Sequence, residues 1–97
     1  MQGRRVDADP NAQDGYPFPR LGPGEYGKDT SGLWYCCAPR DTGDRFTDFL
    51  GCLGDGQSHH KVVEHEDGTI TVSPSILITR HDGSWHGFLE RGVWREC

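Results

Sequence analysis

Apolar and polar positions begin to alternate clearly at Lys61. Residues 61–66 (KVVEHE) and 69–73 (TITVS) are strand-like runs on either side of Asp67-Gly68. A tight two-residue hairpin turn wants positive φ at both central positions, and Asp-Gly is among the pairs that supply it. Pro74 interrupts the second run. It has no amide hydrogen to give a ladder, so it marks an edge, a bend or a bulge. Residues 75–79 (SILIT) resume as the most apolar strand, residues 80–84 (RHDGS) turn the chain, and residues 85–90 (WHGFLE) and 93–97 (VWREC) form a last pair. Upstream, residues 32–38 (GLWYCCA) read as a strand closed by Pro39. Alternation puts Leu33, Tyr35 and Cys37 on one of its faces and Trp34 and Cys36 on the other.

Two stretches read differently. Phe46, Phe49, Leu50 and Leu53 follow i, i+3, i+4, i+7 spacing, one face of a short helix, yet Gly51 lies among them and a compact loop fits equally. Residues 1–23 hold four of the six prolines and little periodicity, which predicts an extended N-terminal tail. Tyr16, Phe18 and Leu21 are the side chains by which such a tail would dock. The expected fold is therefore mainly β: a small antiparallel meander or open barrel of about four or five strands over residues 24–97. One short helix or the tail would cover a face.

Composition narrows the function classes. With 97 residues the chain holds one domain, and at 33% hydrophobic residues its core is thin. The net charge of −5 and the lack of any basic cluster beyond Arg4-Arg5 argue against nucleic acid, whose phosphates draw basic patches. No run is long and apolar enough for a membrane span or a secretory signal. The expected compartment is the cytoplasm, where Cys36, Cys37, Cys52 and Cys97 would be reduced.

The closing hairpin concentrates the candidate chemistry. A two-residue turn at Arg91-Gly92 would set Leu89 opposite Trp94 and His86 opposite Cys97. A three-residue turn with a bulge at Gly92 would set Phe88 opposite Trp94 and His86 opposite Glu96, and it needs no positive φ at Arg91. The latter is the expected register. It would bring His86 and Glu96 together, as a candidate catalytic acid–base pair, on the face of Phe88 and Trp94; the candidate ligand-binding residues are Trp85, His86, Phe88 and Trp94. The plainer reading of the same residues is an aromatic core with a histidine at its wet edge.

Metal-ligating residues are present without a familiar spacing. Cys36, Cys37, Cys52 and His59 are the candidate zinc ligands, but there is no C-x-x-C and no finger-like pairing. No nucleophile elbow, phosphate-cradling loop or calcium loop occurs.

The stretches GPGEYG (22–27), GLWYCCAP (32–39), DGTITVSPSILI (67–78) and GSWHGFLERGVWREC (83–97) together resemble a group of small uncharacterised proteins of actinobacteria and their phages. Some of those carry an ammonia monooxygenase name. More distantly, GTITVSPSI (68–76) and Trp85-His86-Gly87-Phe88 with Gly92 are similar to a wider phage family. Its members pair a C-x-C with a later Cys/His pair suggestive of zinc. The resemblance implies a small phage-associated β protein and supplies no activity. Here Cys36-Cys37 stands in place of the C-x-C, and no cysteine closely precedes His86.

The function expected from these readings is a non-catalytic binding module, a phage accessory or host-directed factor in the host cytoplasm. It would engage a host or phage protein or a small molecule through exposed aromatic positions and the loop at residues 55–60. A zinc-stapled interaction domain and a small hydrolase or transferase using His86 and Glu96 are the alternatives. A homo-oligomer hiding one sheet face would ease the shortage of core.

Overall fold

The computed structural model describes residues 1–8, 19, 21–39, 50–80 and 83–97. They form two four-stranded sheets and, among the described residues, no helix. The first sheet runs β1 (Arg4–Arg5), β2 (Glu25–Lys28), β3 (Trp34–Cys37) and β4 (Leu50–Gly54) in that spatial order. The second is an antiparallel meander of β5 (Lys61–Glu64), β6 (Ile70–Arg80), β7 (Gly83–Glu90) and β8 (Val93–Glu96). The mainly β class holds, and the meander is the one the alternating pattern predicts. The sheets are open, and their eight described strands exceed the four or five read from the pattern.

The apparent helix face at residues 46–53 has a different cause. Phe46 and Phe49 lie outside the described residues, but Leu50 and Leu53 belong to β4. A β-bulge where β3 meets β4 makes Leu53 an extra residue between the partners of Trp34 and Tyr35. Leu53 joins the main core, whereas Leu50 packs on the opposite face with Ala8, Leu21 and Cys37. Both faces of this sheet are covered, so its apolar residues lose the alternation that identifies a half-buried strand.

Residues 1–8 belong to the fold. Over residues 1–3 they run antiparallel to β8: the Met1 amine donates to the Trp94 carbonyl (3.0 Å), Trp94 N–H to the Met1 carbonyl (2.8 Å) and Gly3 N–H to the Gly92 carbonyl (2.7 Å). They then cross to the first sheet and run parallel to β2, where Val6 N–H reaches the Tyr26 carbonyl at 2.9 Å. Backbone pairing does this work, which is why a segment with so few apolar side chains can dock. The approach is close: a Cβ on Gly27 would collide with the Val6 carbonyl. Pro19 and Leu21 are buried, while Tyr16 and Phe18 lie outside the described residues.

One core cluster draws on both sheets, with Tyr26, Trp34, Cys36 and Leu53 from the first and Ile70, Val72, Ile76, Ile78, Trp85, Leu89 and Trp94 from the second. Trp85 and Trp94 meet edge to face at 5.3 Å, an arrangement that stabilises beyond area burial. The Trp94 indole N–H donates to the Gly24 carbonyl (2.9 Å), so its one polar atom is satisfied inside the core. At the β5 end, Glu64 accepts from Arg5 (2.9 Å) and Lys28 (3.4 Å), and both cations lie 5.3 Å from the Trp34 ring centroid. The Arg5 hydrogen bond, then the charges of Arg5 and Lys28, hold the Glu64 carboxyl below its usual range.

Candidate functional site

The site starts from Pro74. Val72 pairs with Leu89 and the next pair is Ile76 with Gly87, so residues 73–75 stand opposite Phe88 alone. The interruption expected at Pro74 is therefore a bulge in the middle of a sheet, and the Ser73-Pro74 peptide is cis. The bulge absorbs the missing amide hydrogen and carries Ser75 out of the ladder. The Ser75 hydroxyl lies 2.8 Å from His86 Nε2, and the Ser75 carbonyl lies 3.3 Å from His60 Nε2. A carbonyl only accepts, so His60 carries its proton on Nε2 in that contact.

Beyond the bulge, alternation resumes with Ile76 and Ile78 buried and Leu77 turned outward, 63% exposed. Leu77 and His86 are cross-strand partners on the outer face of the second sheet. Phe88 follows on that face, half-buried, with the Arg95 guanidinium 5.1 Å from its ring centroid. Arg95 is held in turn by Glu90 at 2.6 Å. Val93, 42% exposed, is paired with Glu90. Leu77, His86, Phe88, Arg95 and Val93 thus share one solvent-facing surface.

The closing hairpin has the two-residue turn. Leu89 pairs with Trp94, Phe88 with Arg95 and Gly87 with Glu96, and Cys97 N–H donates to the His86 carbonyl at 2.9 Å. Arg91 takes φ 46° and Gly92 φ 76°, the two positive angles such a turn requires. The expected three-residue register is therefore corrected. Strain at Arg91 is tolerated because this register turns Trp94 and Leu89 inward together, and a one-residue slip would turn them out. His86 and Glu96 now stand on opposite faces, since paired residues share a face and Glu96 is paired with Gly87. The aromatic set divides in the same way. Trp85 and Trp94 are core, at 3% and 2% exposed, and only His86 and Phe88 remain on the outer face.

The zinc candidates do not converge either. Cys36 and Cys37 are both buried but point to opposite faces of β3 and join different clusters. Burial, above all, pushes the Cys36 thiol up to about 12. Cys52 and His59 are exposed. Among the described residues no group of three or more His, Cys, Asp and Glu side chains is placed to hold a metal ion.

Other polar features have structural partners. The loop at residues 55–60 is organised by Asp55, whose carboxylate accepts from the Gln57 (2.9 Å) and Ser58 (3.1 Å) amides. These bonds hold its carboxyl below the ordinary value. Gly56 of this loop packs against the Trp34 ring. At the β5–β6 hairpin, His65 Nε2 meets the Thr71 hydroxyl at 2.7 Å, and that hydroxyl also accepts from Arg91 N–H at 3.0 Å. A cleft of about 510 Å³ lies there, lined by Glu64, His65, Glu66, Asp67 and Arg91. Another, of about 610 Å³, is lined by Met1, Gln2, Arg4 and residues 22–25.

Comparison with protein-family models, with curated proteins and with solved structures finds no match for this chain.

Ser75 is absent from the candidates read along the chain, and His60 figures there only as the end of the loop at residues 55–60. Pro74 is the signal for Ser75. It announces a bulge, but the offset that carries Ser75 to His86 appears only once β6 and β7 are paired.

Proposed function

We propose that the chain is a non-catalytic binding module that docks a protein partner on the outer face of the β5–β8 sheet. One observation carries the reading: Leu77 stands 63% exposed on that face, opposite His86 of β7. An aliphatic side chain in water, sharing its face with an aromatic ring stacked by arginine and with the polar Thr79, Ser84 and Glu90, has the make-up of an interface core with a polar rim. The resemblance to phage proteins makes a phage accessory or host-directed factor in the host cytoplasm the natural setting. The zinc-stapled and His86–Glu96 readings find no support in where their residues lie, and no helix of the described residues is long and apolar enough to cross a membrane.

The test places a photocrosslinking residue at position 77 and, as control, at position 57 in the exposed loop. Crosslinking in host cells should give one discrete adduct from position 77 only, and Leu77→Asp should abolish co-purification of that protein while leaving the circular dichroism spectrum unchanged. Crosslinks from position 57 alone would move the working surface to the loop. An adduct of twice the chain mass would identify the occupant as a second copy.

A further inference from the structure

We infer that Ser75 and His86 form a nucleophile–base pair able to accept an acyl group from small activated esters. This goes beyond docking and does not depend on it. Three observations meet at the pair. The Ser75 hydroxyl and His86 Nε2 lie at 2.8 Å, inside the reach a serine and its base need. The bulge at residues 73–75 frees the serine from the ladder, and bulges re-aim side chains beside active sites. His60, donating to the Ser75 carbonyl at 3.3 Å, fixes the backbone that carries the hydroxyl and acts as a positioning residue. Leu77 and Phe88 flank His86 on the same face, so the fitting substrate has a short apolar acyl group.

The step is acyl transfer. Ser75 Oγ attacks the ester carbonyl carbon as its proton passes to His86 Nε2. The Oγ–carbon bond forms and the bond from carbon to the leaving oxygen breaks. The departing alkoxide recovers the proton from the imidazolium. The products are an acylated Ser75 and a free alcohol.

The experiment uses the full chain and p-nitrophenyl acetate, reading nitrophenol release, intact mass and a peptide map. The expected result is one acetyl group per chain, mapped to Ser75. Ser75→Ala should lose it, and His86→Gln should slow it about a hundredfold, the lower range for a positioned general base. Cys52→Ser and Cys97→Ser should leave the Ser75 label unchanged. Acetylation confined to lysines, thiols or the amino terminus would overturn the inference, as would an unchanged Ser75 rate in His86→Gln. Should Ser75→Ala fail to fold, the wild-type map and the His86→Gln rate decide between the same outcomes. Loss of the label leaves the docking surface intact, and loss of docking leaves the label, so each reading fails separately.

Discussion

At Gly87 the two halves of the closing hairpin come as close as backbone allows. A Cβ there would run into the Arg95 carbonyl and the Trp85 ring at once. Neither neighbour is a loose side-chain end, so Gly87→Ala should destabilise by about 1–3 kcal/mol, the usual cost of overpacking, read as a lower urea midpoint. Arg91 offers the opposite case. It holds φ 46° in a region that costs a side-chain-bearing residue about 1–2 kcal/mol. Arg91→Gly should raise stability by about 0.5–1 kcal/mol once the extra chain entropy of glycine is set against that relief. Cys36 gives a pH signature. Its thiol is raised from 9.0 to about 12 by burial in the fold, whereas the unfolded chain ionises near the ordinary value. The folded state therefore keeps a proton that the unfolded state loses, and stability must fall as pH rises from about 9 towards 12. The slope from this group is at most about 1.4 kcal/mol per pH unit. Urea midpoints of wild type and Cys36→Ala across that window isolate it, because the variant lacks this part of the slope.

At the scale of elements, the β7–β8 hairpin is anchored by Trp94, whose indole N–H ends on the Gly24 carbonyl of the other sheet's entry loop. Trp94→Phe keeps an aromatic ring and removes that bond, while the Gly24 carbonyl still accepts from Arg4 N–H (3.1 Å), so about 0.5–1.5 kcal/mol should be lost, measurable as a fall in melting temperature. The contrast between the two sheets shows what the chain discloses by itself. The second sheet is legible because each strand has one wet face, and because Asp67-Gly68 and Pro74 announce a turn and a bulge. Of the first only β3 is, as the strand read over residues 32–38. Its strands β2 and β4 are short and glycine-bearing, and Leu50 and Leu53 pack on opposite faces of β4, so they imitate a helix. Arg4–Arg5 is a strand only by virtue of partners more than twenty residues away. The hairpin register was legible only as a choice. The local preference against positive φ at Arg91 favours one answer, and the burial of Trp94 with Leu89 imposes the other. That choice separates His86 from Glu96, while the Ser75–His86 contact depends on an offset between β6 and β7 that no single strand encodes.

For the whole molecule, the question is what keeps two open sheets with so little core together. Glu64 ties β5 to Arg5 and Lys28, but these groups are partly exposed, and such pairs contribute about 0–1 kcal/mol. Residues 1–8 do more. They hydrogen-bond to β8 at one end and to β2 at the other, so removing them opens both sheets along one edge and strands the Trp94 amide. Deletion of residues 1–8 should cost about 3 kcal/mol or more, given a net contribution near 1 kcal/mol for each backbone hydrogen bond lost. The Trp94 amide, which donates to the Met1 carbonyl, should lose its protection in hydrogen exchange first. A metal would be the other way to staple so small a fold. With Cys36 and Cys37 on opposite faces of β3 and Cys52 and His59 in solvent, the fold assigns that role to the strap. A chelator should therefore leave the melting temperature of the full chain unchanged, and the strap deletion should lower it in metal-free buffer and in zinc alike. A chelator-sensitive transition would mean that the cysteines, and not residues 1–8, hold the sheets together.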